Sequence, residues 1–310
     1  MDKNSKIYIA GHGGMVGNAL ISLLKKEGYN NIVTKTSKEL DLRNQQGVEN
    51  FFEEEQPEYV FLLAAKVGGI KANISFPAEF LYDNLMIEAN IIHSAYKFKT
   101  KKMLFLGSSC IYPRECAQPM KEEYLLTGRL EPTNEGYALA KIAGIKLCET
   151  YREQYGCNFI SLMPPNLYGP GDNFNPETSH VISALIRRFH EAKIQNAEKV
   201  VVWGSGNARR EFLYVEDLAS AILFFMKNYS EKGHINVGTG DDVSIRELAK
   251  LIKEIVGYSG AIEFDTTKPD GMPQKLMDNS QQLEANFKSS TKFKQGLDNV
   301  YQWALKNSIL

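Results

Sequence analysis

Apolar residues in the first half of the chain fall in short, nearly continuous runs, separated by stretches with helical spacing. Unbroken apolar runs are expected of parallel strands buried on both faces, and their alternation with helices predicts βαβ units. Lys6–Ala10 reads as the first strand. Val16, Ala19, Leu20, Leu23 and Leu24 then share one helical face, which Gly28 ends. Asn31–Thr34 is a second strand; Val48, Phe51 and Phe52 mark a short helix, and Tyr59–Ala65 a third strand. Two long helices, about Asn84 to Phe98 and Tyr137 to Tyr155, bracket the strand Lys102–Gly107, and the strand Phe159–Met163 follows. The predicted class is α/β, a doubly wound parallel sheet of Rossmann type.

Past residue 166 the texture changes. Loops rich in Pro, Gly and Asn (Gly169–Asn173 and Lys268–Pro273) separate helices expected near 179–193, 216–228 and 244–256. Residues 1–166 are therefore expected to form a dinucleotide-binding domain. Residues 167–310 should form mainly a smaller substrate-binding lid, with about 203–230 returning to the first domain.

Composition narrows the function classes. The 310 residues carry Lys+Arg 36 against Asp+Glu 37, a net charge of -1, so there is no global footprint for nucleic acid or an acidic membrane. No apolar run approaches the roughly 20 residues that span a bilayer, and Met1–Lys6 lacks the apolar core of a signal peptide. Cys110, Cys116, Cys148 and Cys157 are too few for a disulfide framework and show no metal-ligand spacing. A cytoplasmic protein without metal is expected.

Gly11-x-x-Gly14-x-x-Gly17 falls between the first strand and the first helix. Glycines there permit a tight turn and close backbone approach, while the helix N-terminus offers free N–H groups to a pyrophosphate. An acid about 20 residues on usually holds the adenosine ribose. Here Thr34-Lys35-Thr36-Ser37 offers a lysine among hydroxyls instead, which favours NADP(H), with NAD(H) as the alternative.

Tyr137-x-x-x-Lys141 places a phenol and an amine one turn apart on one helical face. A neighbouring ammonium is expected to lower the phenol's pKa towards working pH, making it a usable acid/base. Ser108 ends a sheet strand, where ligand sites of open α/β sheets lie.

Taken together, the glycine loop, Ser108 and Y-x-x-x-K resemble the extended short-chain dehydrogenase/reductases that act on nucleotide sugars. More narrowly, Gly11–Gly17, Ala64–Gly69, Leu104–Pro113, Glu131–Asn134, Ala140–Cys148 and Trp203–Gly206 are similar to the GDP-L-fucose synthase family, and the resemblance runs from residue 6 to about 305. It implies an NADPH-dependent 4-reductase and 3,5-epimerase of a GDP-4-keto-6-deoxy sugar, working as a homodimer. It implies Ser108, Tyr137 and Lys141 as the reduction set, with Cys110 as epimerase base and His180 as acid. Cys110 would reach the site if its loop is extended.

For the cofactor the resemblance implies Gly11, Gly14, Met15, Val16 and Gly17, then Lys35, Asp41 and Leu42. It adds Ala64, Ala65 and Lys66, the segment Leu106, Gly107 and Ser109, and Lys141, Pro164, Asn166, Leu167 and His180. For the GDP-sugar it implies Ser108, Asn166, Arg188, Trp203, Arg210, Asp270 and Lys275, whereas Arg187 and Arg209 read as solvated.

The chain departs from the family at His12-Gly13 and at Thr36-Ser37, where arginines are expected, and around the sugar at Gly136, Pro165, Gly171 and Asn175. These departures raise a second reading, a 4-reductase of a GDP-4-keto-6-deoxy-heptose without epimerase activity. A third is a non-catalytic dinucleotide-binding regulator.

Overall fold

The computed structural model describes residues 1–176, 178–268 and 270–310. Pro269, in the expected Lys268–Pro273 loop, and Glu177 lie outside the described residues. The first half runs β1 (Ile7–Ala10), α1 (Met15–Lys26), β2 (Ile32–Val33), α2 (Gln45–Glu55), β3 (Tyr59–Leu62), α3 (Ile70–Ser75), α4 (Pro77–Lys97), β4 (Lys102–Leu106), α5 (Glu135–Tyr155) and β5 (Phe159–Met163). The second continues with β6 (Asn166–Tyr168), α6 (Val181–Ile194), β7 (Lys199–Trp203), β8 (Arg209–Tyr214), α7 (Val215–Asn228) and β9 (His234–Asn236). It closes with β10 (Asp242–Ser244), α8 (Ile245–Val256), β11 (Ala261–Asp265), β12 (Gln274–Lys275), α9 (Ser280–Glu284) and α10 (Phe293–Lys306).

The main sheet is parallel, in the order β2-β1-β3-β4-β5-β9. Both neighbours of β1 come later in the chain, so the sheet grows outward to β2 and then back across to β3. The crevice beyond the carboxyl ends of β1 and β3 is the topological switch point where ligands bind. One face is covered by α2, α4 and α5 through Phe52, Ile91, Ile92, Ala138 and Ile145. The other is covered by α1 and α7 through Leu20, Leu24, Leu218 and Ile222. Strands β1, β4 and β5 are buried throughout, as their nearly continuous apolar runs lead one to expect.

Two boundaries in the first half depart most from the sequence expectation. The fourth helix begins at Pro77 rather than near Asn84, because its first turns send Glu79 and Tyr82 outward and only Phe80 inward. The third strand stops at Leu62 rather than Ala65: Leu63 N still donates to Ala10 O at 2.9 Å, but Ala64 then turns to face Gly11.

The second half builds its own core from α6, α8, α10, β7 and β8, around Phe189, Val200, Phe212, Leu248, Ile252 and Val300. Its sheets are small: β8 is flanked by β10, β12 and β6, and β11 pairs with β7. Helix α8 starts with a reciprocal capping box between Ser244 and Glu247. The buried Glu211 ties this half together, accepting from Thr239 N at 2.6 Å, Met277 N at 2.8 Å and Gly240 N at 2.9 Å.

Candidate active site

The glycine loop is shaped by backbone contacts. Gly11 has φ +93, and a Cβ there would lie 2.6 Å from Ala64 N. A Cβ on Gly17 would overlap the carbonyl of Gly11 and come within 2.6 Å of His12 Cα. Gly14 caps α1 in extended backbone with no side-chain cap, and the first turn of the helix (Met15, Val16, Gly17) holds no acid. A Cβ on Gly13 would meet nothing within 4 Å, so the loop is open beside a helix N-terminus, the place where an anion is favoured. A Cβ on Gly171, at φ +87, would lie 3.6 Å from Met15 Cα. A dinucleotide pyrophosphate fits this cradle.

Beyond it, Lys35 is partly buried at the end of β2. Thr34–Ser37 holds no acid, but one from beyond it reaches that strand end. Glu39 folds back to accept from Thr36 N and Oγ1, both at 2.7 Å. Those bonds, with Lys35 and His12 nearby, hold its carboxyl below the usual range. Asp41 is gripped by Arg43 at 2.8 Å, Arg43 reaches Asp83 at 3.0 Å, and Asp83 takes Lys66 at 2.8 Å. Leu42 O accepts from Asn90 at 2.9 Å. The Ala64-Ala65-Lys66 loop is stapled by buried Asn84, which accepts from Lys66 N at 2.8 Å and donates to Lys66 O at 3.1 Å.

Strand β4 delivers the reactive groups. After Leu106, Gly107 lies against the Met163 thioether so closely that a Cβ would overlap it, and Ser109 N donates to Pro164 O at 3.0 Å. Ser108 is extended, but Ser109–Ile111 form a 3-10 turn rather than the extended loop expected for Cys110. The turn closes because Cys110 N donates to Ser108 Oγ at 3.3 Å. Cys110 nevertheless faces the same place: it lies within electrostatic reach of Tyr137, and Lys275 Nζ is 3.8 Å from its Sγ. Ser108 also lies beside Tyr137.

The expectation that Lys141 lowers the Tyr137 phenol is overturned. Burial pushes the phenol above its ordinary value, Cys110 and Glu88 add to the rise, and only the nearby Ser108 hydroxyl opposes it. Lys141 has another partner. Its Nζ donates to Leu106 O at 3.0 Å and lies 3.1 Å from Glu88 Oε1, 4.7 Å from the Phe105 ring centroid and 5.8 Å from that of Tyr137. Burial in turn raises the Glu88 carboxyl well above the carboxylate range, with Lys141 opposing. Beside Tyr137, a cavity of about 110 Å³ is lined by Asn73, Phe80, Asn134 and Gly136. The buried Oδ1 atoms of Asn73 and Asn134 accept no hydrogen bond among the described residues.

The remaining candidates lie on the second half. His180 is exposed at the N-cap of α6, near enough to Asp172 to lower a carboxyl that burial raises; Ser183 also donates to Asp172. Asn166 donates to Glu211 O at 3.1 Å, and Leu167 pairs with Leu213. Trp203 is 62% exposed, with the guanidinium of Arg188 and the ammonium of Lys268 each 5.7 Å from its rings. Burial lowers the pKa of Arg210, which donates to Arg209 O at 2.7 Å. Asp270 orders the turn after Trp203, accepting from Ser205 N and Oγ at 2.7 Å. Arg187 and Arg209 are held by Glu191 at 2.7 Å and Asp242 at 2.6 Å.

Ser108, Cys110, Tyr137, Lys141 and Lys275 are thus brought together, while Arg188, Trp203, Arg210 and Asp270 form a second group. Sequence reasoning missed Asn84 and Glu88. The available signal was two polar residues one turn apart on the same helical face as Phe80, Ile91 and Ile92.

A model of the NAD dependent epimerase/dehydratase family matches residues 7–238. The chain belongs to that family. Within this epimerase/dehydratase family it is 56% identical over 306 residues to GDP-L-fucose synthase 1 of Arabidopsis thaliana, covering 99% of this chain and 95% of that one. Among solved structures it resembles a GDP-6-OMe-4-keto-L-xylo-heptose reductase from C. jejuni (TM-score 0.94, 42% identity, 99% of each chain). It also resembles a GDP-L-fucose synthetase from Naegleria fowleri bound to NADP (TM-score 0.91, 34% identity, 100% of this chain and 96% of that one).

Proposed function

We propose that this chain reduces the C4 ketone of a GDP-4-keto-6-deoxy sugar with NADPH and inverts C3 and C5, as a GDP-L-fucose synthase does. The observation that carries the reading is Ser108 and Cys110 set beside Tyr137, with Lys275 Nζ 3.8 Å from the Cys110 sulfur. The nicotinamide, when bound, supplies hydride to C4. Ser108 and Tyr137 hold the carbonyl oxygen between two donors, and Tyr137 gives its proton to that oxygen as charge develops. The same ketone acidifies the protons on C3 and C5. Cys110, with Lys275 Nζ 3.8 Å from its sulfur, removes each from one face, and His180 returns a proton to the other.

Lys35 and the pyrophosphate cradle support a dinucleotide with a 2′-phosphate, as does the NADP bound to the Naegleria fowleri relative. Arg188, Arg210 and Lys275 suit a diphosphate, with Trp203 as the flat wall for a base. The division into residues 1–166 for cofactor and 167–310 mainly for substrate, with about 203–230 returning to the first domain, is part of the same reading, as is a cytoplasmic setting, supported by four free thiols. A homodimer is supported by the outer face of α4 and α5, where Tyr96 stacks on Tyr155 at 4.3 Å and Tyr82 is 62% exposed.

The test is incubation with GDP-4-keto-6-deoxymannose, NADPH and heavy water. Oxidation of NADPH with deuterium at C3 and C5 is the expected result. No reaction with any GDP-4-keto sugar would refute it. The heptose reductase at TM-score 0.94, and acceptor atoms waiting in the cavity beside Tyr137, favour one alternative: a 4-reductase of a larger sugar without epimerisation. In that case NADPH is consumed and solvent deuterium stays out of the product.

A further inference from the structure

The ion pair beneath the active site serves neither packing nor any interaction assigned so far. Glu88 and Lys141 have side chains 1% and 2% exposed, held 3.1 Å apart across the α4–α5 seam. Burying two charges costs desolvation that an apolar pair of similar volume avoids, so such a pair is poor evidence of a need for stability. Neither Glu88 oxygen has a hydrogen-bond partner elsewhere among the described residues, which leaves Lys141 as its counter-charge. Space for the carboxylate is built in: a Cβ at Gly144, one turn beyond Lys141, would sit 2.8 Å from Glu88 Oε2 and 2.5 Å from the Phe105 ring. The titratable groups facing Glu88 are Lys141, Tyr137 and Cys148, all on α5. Strand β4 adds the Phe105 ring and the Leu106 carbonyl.

We propose that Glu88 is a positioning residue for the reduction: its carboxylate anchors the Lys141 ammonium and offsets that charge at Tyr137, so the phenol keeps its proton until C4 receives hydride. The pair divides the labour. Lys141 is fixed at two points, Leu106 O and Glu88, and keeps its remaining N–H for a ligand in the crevice. Tyr137 meets a pair of opposite charges instead of a bare cation. An unopposed ammonium would favour the tyrosinate, which has no proton to give. The inference rests on the proposed roles of Tyr137 and Lys141.

The experiment uses the full-length enzyme and Glu88→Gln, which keeps the shape and removes the charge. NADPH oxidation with the keto sugar is followed from pH 6 to 10. The basic limb of kcat is expected to move down by about one pH unit or more, so turnover near pH 9 falls roughly tenfold, with little change in KM. Glu88→Asp recovers part of the shift. A variant whose basic limb coincides with wild type, whatever its Tm, would overturn the inference.

Should wild type turn over no keto sugar, the proposed reaction fails, and the inference is decided by tyrosinate absorbance. The difference between wild type and Tyr137→Phe gives the Tyr137 midpoint directly. A midpoint above about 10 supports an offset lysine, and one well below it overturns the idea. That second measurement needs no change at position 88, so it stands even if Glu88→Gln does not fold.

Discussion

The two halves of the cofactor crevice are built from different materials. On the β1–α1 side the wall is backbone: Gly11, Gly14 and Gly17 remove side chains so that main-chain atoms meet and the helix N-terminus stays bare. On the β4–α5 side the wall is charge, with Lys141 pinned between Glu88 and a strand carbonyl in the dry interior. A wall made of backbone tolerates no added atom but is indifferent to pH. A wall made of charge tolerates isosteric change but responds to protonation.

The largest effect should come from the backbone side. Gly17→Ala places its methyl inside the Gly11 carbonyl, so dinucleotide affinity should fall by at least 100-fold in a fluorescence titration. Wild-type affinity would show that the loop has slack it does not display. Tyr137→Phe comes next. It removes the proposed proton donor, so kcat should fall about 10²–10⁴-fold with dinucleotide affinity intact, measured by NADPH oxidation.

Lys141→Met probes the charge side by leaving Glu88 buried alone, at a cost of about 3–5 kcal/mol in urea unfolding at pH 8. The sign with pH is distinctive. Burial raises the folded Glu88 pKa above the unfolded value, so the folded state binds the extra proton. The variant should therefore gain stability relative to wild type as pH falls from 8 towards 5, and a flat difference would refute the assignment.

The smallest effect lies away from both walls. His234 is buried 3.1 Å from Tyr112 Oη, and burial lowers its pKa to about 4. Its contribution is present above the unfolded value of about 6.5 and is lost as pH falls from there to about 4, at most about 3 kcal/mol. Replacing it with Asn should flatten that segment of the stability–pH curve, as read by urea titration.

The same contrast explains what the sequence made legible. Glycine spacing, unbroken strands and Tyr137-x-x-x-Lys141 are local patterns, and each settles its element without knowledge of the rest. Glu88 is not local. A glutamate in mid-helix ordinarily faces water, and its partner lies on another helix, so only packing reveals the pair. Glu39 escaped for a related reason: it follows the strand end, but a turn returns its carboxylate to Thr36. The short strands β10 and β12 carry too few residues for any alternation to register. Cys110 was reached through a wrong premise, since a 3-10 turn rather than an extended loop aims it.

The missing methyl at Gly144 limits how this protein can diverge. Because the Phe105 ring and the Glu88 carboxylate both occupy the place a side chain would take, position 144 can accept alanine only after both neighbours have shrunk or shifted. Mutational routes through these three sites therefore have a required order, and lineages that keep the glutamate inherit the glycine with it.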